Sequence, residues 1–128
     1  MDLTISHEHL ADSMTVVRPD EINMYTASML REILVDLIVH QGRIFLILDM
    51  TELVGRVDST GLNVLVGALK RTQAQGGGVA LVGLPEHVSK VFRTYGMTTV
   101  FPAFETVVDA EVGLPLVANA RRRMKVAG

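Results

Sequence analysis

Asp58-Ser59-Thr60-Gly61 sets a carboxylate, two hydroxyls and a glycine directly ahead of the apolar positions Leu62, Leu65, Val66 and Leu69. The helical spacing of those positions predicts a helix that begins at this turn. A helix start leaves backbone N–H groups without intrahelical acceptors and carries partial positive charge, so a phosphate on a hydroxyl here is electrostatically accommodated. Aspartate, serine and threonine are also ordinary helix caps. Both readings hold together, because a cap hydroxyl lies at the surface within reach of another protein.

Other chemistries fit less well. A serine hydrolase of the sheet-and-helix type presents its nucleophile in G-x-S-x-G, whereas Ser59 lies in Val57-Asp58-Ser59-Thr60-Gly61. Asp49, after an apolar run, could stand as a phospho-accepting aspartate. Such a site needs further acids for magnesium, and the first strands end without an acidic pair. His7 and His9 have the i, i+2 spacing that puts both on one face of a strand, but no third ligand is placed, so they read as solvated strand residues. Gly76-Gly77-Gly78 follows a helical segment instead of preceding one and reads as a turn, and neither G-x-x-x-x-G-K-[ST] nor G-x-G-x-x-G occurs. No catalytic residue, metal site or cofactor is expected.

Alternating segments of two periods must position the turn. Leu3 and Ile5, then Met14, Val16 and Val17, predict two short strands before residue 19, paired as a hairpin. Pro19-Asp20-Glu21 breaks the pattern. From Thr26, the positions Met29, Leu30, Ile33, Leu34, Leu37 and Ile38 predict a helix ending near His40. Residues 43–50 (RIFLILDM) are apolar on both faces, as in a central strand covered by helices on both sides. The helix from the Asp58 turn stops at Gln75-Gly76-Gly77-Gly78, and 79–83 (VALVG) follows as a short buried strand. Pro85 opens a helix with Val88, Val91, Phe92 and Tyr95 at i, i+3, i+4, i+7, closed by Gly96. A brief strand at Thr99–Phe101 and a short helix from about Thr106 complete the order. The alternation implies an α/β domain: a mixed, mostly parallel sheet of four to five strands with flanking helices, spanning 1–116. The tail at 117–128, with Arg121, Arg122, Arg123 and Lys125, reads as a frayed, solvated end.

Composition agrees. With 128 residues, 48% of them hydrophobic, the chain has apolar material for one core and is expected to be a single domain. A net charge of −2 provides no overall positive field for a nucleic-acid backbone, and the absence of cysteine removes thiol chemistry and disulfides. The N-terminus lacks the basic and apolar regions of a secretory signal, and IFLIL (44–48) is far short of the roughly 20 residues of a membrane helix. A cytoplasmic location is expected, with neither membrane nor nucleic acid as partner.

The run ILDMTELVGRVDSTGLNVLVGALKR, followed by GGGVALVG, PEHVSKVFRTYGM and VFPAFETVVDA, resembles the anti-sigma factor antagonist family, whose module is the STAS domain. The likeness spans roughly residues 13–112. Its most specific element is Asp58-Ser59-Thr60-Gly61-Leu62, resembling D-S-[ST]-G-L, supported by Tyr25-Thr26-Ala27, Leu30-Arg31 and Phe92-Arg93-Thr94-Tyr95-Gly96. The resemblance implies a binding protein without catalysis. In its unphosphorylated form it captures an anti-sigma factor, often itself a serine kinase, and so releases the sigma factor. Phosphorylation of Ser59 ends that binding and a serine phosphatase restores it. Thr60 is then the natural cap, and Gly61 serves close approach of the partner, so that Gly61→Ala leaves stability unchanged or raised. Partner contacts are expected at Asp58, Ser59, Thr60, Gly61 and Leu62, and at Glu21 and Asn23. Two departures stand out. Asp20-Glu21-Ile22-Asn23 replaces G-E-[LI]-D, and the segment between Asp49 and Asp58 is one residue longer than usual, with Gly55-Arg56 where an apolar residue is common. The alternatives are a STAS scaffold module in a larger signalling assembly and a small hydrolase or phosphotransfer enzyme.

Overall fold

The computed structural model describes residues 5–10 and 13–127, with side chains as far as Arg123. Its strands are β1 (Ser6–His9), β2 (Met14–Arg18), β3 (Phe45–Asp49), β4 (Gly78–Val82) and β5 (Ala103–Phe104). Helices α1 (Ala27–Val35), α2 (Ser59–Ala74), α3 (Glu86–Thr94) and α4 (Val107–Ala127) join and follow them. The strands lie side by side in chain order, β1 antiparallel to β2 and every later pair parallel. This is the expected mixed sheet. Leu3 lies outside the described residues, while Ile5 immediately precedes β1.

β3 sits at the centre because every one of its apolar residues has somewhere to go. Leu46 and Leu48 face a cluster with Leu30 and Leu34 of α1, Leu62, Leu65 and Leu69 of α2, and Val88 and Phe92 of α3. Ile47, between them, points to the opposite face and packs with Ala110 and Leu114 of α4. Period-two alternation thus gives a three-layer arrangement, with α1, α2 and α3 on one side of the sheet and α4 on the other. Register places Val16 beside Ile47 and Ile47 beside Ala80, so the α4 side is lined by small and branched residues. Buried Thr15 and the guanidinium of Arg43 link the hairpin to the strand after it, Arg43 Nε donating to Thr15 Oγ1 at 2.8 Å and Nη2 to the Leu10 carbonyl at 2.6 Å.

The helix expected to end near His40 does so with a changed last turn, and three other expectations are corrected. The helix widens after Val35 into a π turn, Asp36–His40, where Gln41 N–H bonds the Asp36 carbonyl at 3.1 Å. Met29 and Tyr95, expected on buried stripes, are exposed. The strand expected at Thr99–Phe101 is a turn, with Val100 and Phe101 N–H bonding back to the Met97 carbonyl, and the pairing is made by Ala103–Phe104. Phe101 is apolar because its ring packs edge-on against Phe92, centroids 5.7 Å apart, and not because it extends the sheet. The short final helix is in fact 21 residues long and carries the expected frayed end, 117–127, as its last turns. Pro115 lies within it, removing one N–H from the helical ladder without ending the helix.

Candidate functional site

α2 starts at the carboxyl end of β3, where a parallel sheet leaves its loops exposed. Asp58 is the N-cap, in extended conformation with φ −101° and ψ 177°, and its Oδ1 accepts the Gly61 N–H at 2.8 Å. The other oxygen does something the local sequence does not announce. Oδ2 accepts the Met24 N–H at 2.8 Å, tying α2 to the segment ahead of α1 across 34 positions. Both carboxylate oxygens are thereby engaged inside the protein.

The segment from Glu21 to Thr26 is held by its own side chains. Asn23 Oδ1 accepts the N–H of Tyr25 at 2.9 Å and of Thr26 at 3.3 Å. Buried Thr26 donates its hydroxyl to the Glu21 carbonyl at 3.1 Å and accepts the Asn23 N–H at 3.1 Å. An amide oxygen performs the capping that a carboxylate would, so asparagine at position 23 costs the turn a charge but not its hydrogen bonds. Ile22, between these groups, is fully buried and lies beneath Gly61.

On the other flank, the segment from Thr51 to Val57 is pinned at both edges. Val54 N–H donates to the Asp20 carbonyl at 2.8 Å, and His87 of α3 hydrogen-bonds the Gly55 carbonyl through Nε2 at 2.8 Å. Gly55 has φ +76°, which lets this segment turn so that Leu53 and Val57 enter the core while Val54 stays outside. Ser59 and Thr60 are exposed at the end of this frame. In the two flanking segments Met24, whose N–H bonds Asp58, and Tyr25 and Val54 are 62%, 85% and 59% exposed, forming an apolar rim.

Asp49, the alternative phosphoacceptor, is engaged structurally: Oδ2 lies 3.5 Å from Arg18 Nε, and Oδ1 accepts from Thr51 N at 3.1 Å and Oγ1 at 2.8 Å. His7 and His9 share the exposed face of β1, ring centroids 5.5 Å apart, with His9 Nδ1 3.0 Å from Thr15 Oγ1. Among the described residues no helix is long and apolar enough to cross a membrane.

Residues 6–110 match the STAS domain family. The chain belongs to that family. Over 93 residues, 73% of this STAS chain and 80% of the relative, it is 34% identical to the anti-sigma-B factor antagonist of Listeria monocytogenes. It is 32% identical to the anti-sigma-B factor antagonist of Bacillus subtilis, covering 76% of this chain and 86% of that one. In fold it is similar to the Bacillus anti-sigma factor antagonist SpoIIAA in its unphosphorylated form, TM-score 0.68 at 17% identity over 86% of this chain and 96% of that one. The phosphorylated form of SpoIIAA also matches, with a TM-score of 0.66 at 19% identity, over 84% of this chain and 96% of that one.

The STAS motif divides by depth. Asp58 is half-buried, Ser59 and Thr60 face solvent, and Glu21 and Asn23 lie partly exposed beside them. Gly61 and Leu62, expected as partner contacts, are buried, Leu62 at 4% exposure. They act on the site from below. A Cβ on Gly61 would lie 2.7 Å from Ile22 Cγ2 and 2.8 Å from the Ile22 carbonyl oxygen, so the close approach that requires glycine is within the chain. The expected cap at Thr60 is likewise corrected to Asp58. Met24, Tyr25 and Val54 were not expected as site residues; their signal was an apolar residue outside the buried helical stripes, in segments held by their own hydrogen bonds.

Proposed function

We propose that this STAS protein is an anti-sigma factor antagonist: unphosphorylated, it binds an anti-sigma factor with kinase activity through the Asp58–Thr60 turn and the Met24, Tyr25 and Val54 rim. Phosphorylation of Ser59 ends the binding, a serine phosphatase restores it, and the cycle runs in the cytoplasm. The observation that carries this reading is the division of labour at the start of α2. Asp58 is committed to internal hydrogen bonds through both oxygens, while the next hydroxyl, Ser59, is exposed beside an apolar rim.

The switch then works by electrostatics at an interface. A phosphoserine carries about −1.5 to −2 charge at pH 7, and near a helix N-terminus such charge is worth a favourable few tenths to about 1 kcal/mol. Asp58 beside it adds like-charge repulsion, which solvent screens at an exposed position. Pressed against a partner, the same unpaired charge loses its water at a cost of several kcal/mol. The free fold tolerates the phosphate and the complex does not.

Incubating the protein with its cognate anti-sigma factor and ATP tests this. Phosphopeptide mass spectrometry is expected to find phosphate on Ser59 and not on Thr60, and the complex seen on size exclusion is expected to dissolve for wild type but persist for Ser59→Ala. Phosphate on Thr60 with Ser59 bare contradicts the assignment.

A further inference from the structure

α4 carries two apolar stripes, and the sheet uses one. Ala110, Leu114 and Ala118, at i, i+4, i+8, are buried, Ala110 and Leu114 against Ile47 of β3 and Ala80 and Val82 of β4. On the opposite side Val108, Val112 and Leu116, again at i, i+4, i+8, are 68%, 66% and 63% exposed. A helix that only covers a sheet needs one such stripe and a polar outer face. The outer stripe has charged ends of opposite sign. Glu105 and Asp109 stand at its start and Arg123 at its end, all exposed.

We propose that this face pairs with the same face of a second copy of the chain, the two α4 helices running antiparallel about a two-fold axis on the outer face midway between Val112 and Leu116. A two-fold pairing is self-complementary, so each residue of the seam meets the one equally far on the other side of the axis. Val112 then meets Leu116 and Val108 meets Ala120, while Glu105, two residues ahead of α4, comes to the end that receives Arg123. Arg123 lies about 24 Å of helix beyond Val107, and Glu105 stands just ahead of the helix, so antiparallel pairing brings an acidic start against a basic end at both ends of the seam. Parallel pairing would instead set acid against acid. A membrane surface fits less well, since the acidic end would face anionic lipid.

The sheet lies between α4 and the helices α1 and α2, so the dimer leaves Ser59 open on both copies, and the inference holds whether or not the protein is an antagonist. A seam of about five turns lies at the low end of specific interfaces, roughly 1,000 Å² in total, so self-association in the micromolar range is expected.

Sedimentation of the full chain from about 5 to 500 μM tests it. The expected mass rises toward twice the 14.0 kDa of the chain. Leu116→Glu is expected to raise the dimer dissociation constant about 30-fold or more with thermal unfolding of the dilute protein unchanged. Glu105→Arg and Arg123→Glu are each expected to weaken the dimer, and the two combined to restore it. A protein that stays monomeric throughout, that dimerises regardless of Leu116→Glu, or whose combined charge exchange restores nothing overturns the proposal. A monomer that binds anionic vesicles does so as well.

Discussion

The Cα of Gly61 faces Ile22 so closely that a methyl group there would sit 2.7 Å from Ile22 Cγ2, 2.8 Å from its carbonyl oxygen and 2.9 Å from its carbonyl carbon. The side-chain contact could yield by a rotamer change. The carbonyl cannot, because Ile22 belongs to the tightly hydrogen-bonded segment that Asn23, Thr26 and Asp58 hold in place. Gly61→Ala gains about 1 kcal/mol of helix propensity and meets an overpacking cost of about 1–3 kcal/mol. A net loss of stability up to about 2 kcal/mol is expected, read as a lower denaturation midpoint in urea. Raised stability contradicts the contact.

Asp58 satisfies two backbone donors with two oxygens, which makes its replacement informative. Alanine removes both acceptors and is expected to cost about 1–3 kcal/mol, the sum of a lost cap and a lost tie to Met24. Asparagine keeps one oxygen and turns an N–H toward the second donor, so it should fall between alanine and wild type instead of matching the latter. Amide hydrogen exchange at Met24 and Gly61 tells which bond each variant lost. Protection at Met24 that survives Asp58→Ala shows that the tie does not form.

For the exposed rim the expectation is reversed. Tyr25→Ala and Val54→Ala should leave thermal unfolding within about 0.5 kcal/mol of wild type, since neither side chain is buried. Tyr25→Ala should weaken anti-sigma factor binding by more than about 1 kcal/mol, as exposed aromatic residues at a docking site do. Normal binding by both variants places the partner elsewhere.

The order of strands and helices was legible because period two and period 3.6 alternate cleanly from residue 14 onward, and RIFLILDM could only be a strand covered on two sides. Where a residue's apolar character serves a contact outside its own element, the pattern misled. Phe101 packs on Phe92 from a turn, and Val108, Val112 and Leu116 face away from the core, so neither the short β5 nor the length of α4 was readable. Pro115 and the run of arginines also imitate a helix end that does not occur. At the site, residue type and spacing marked the Asp58–Gly61 turn as a helix start and the family resemblance alone singled out Ser59 within it, while the cap could not be named. Asp58, Ser59 and Thr60 are all favoured cap residues until geometry shows Asp58 Oδ1 on the Gly61 N–H. The bond to Met24 and the contact with Ile22 join segments more than 30 positions apart, and local patterning carries no trace of such pairings.

Phosphorylation of Ser59 is expected to leave the isolated fold intact. The phosphate meets the positive end of α2 in solvent, so the melting temperature should move by no more than a few degrees, corresponding to about 1 kcal/mol. Amide shifts in an NMR spectrum should change near Met24, Val54 and the first turn of α2 and nowhere else. Shifts spread through β3 and β4 would mean that the phosphate refolds the protein instead of blocking a surface.

The central claim is that Ser59 controls binding at the surface, and calorimetric titration of the cognate anti-sigma factor with the unphosphorylated and the Ser59-phosphorylated protein tests it most directly. The phosphorylated protein itself is needed, because Ser59→Asp supplies only part of the charge and a smaller shape. An unpaired charge stripped of water costs several kcal/mol and each 1.4 kcal/mol is about tenfold, so affinity is predicted to fall by about two decades or more. Equal affinity of the two forms would contradict the switch.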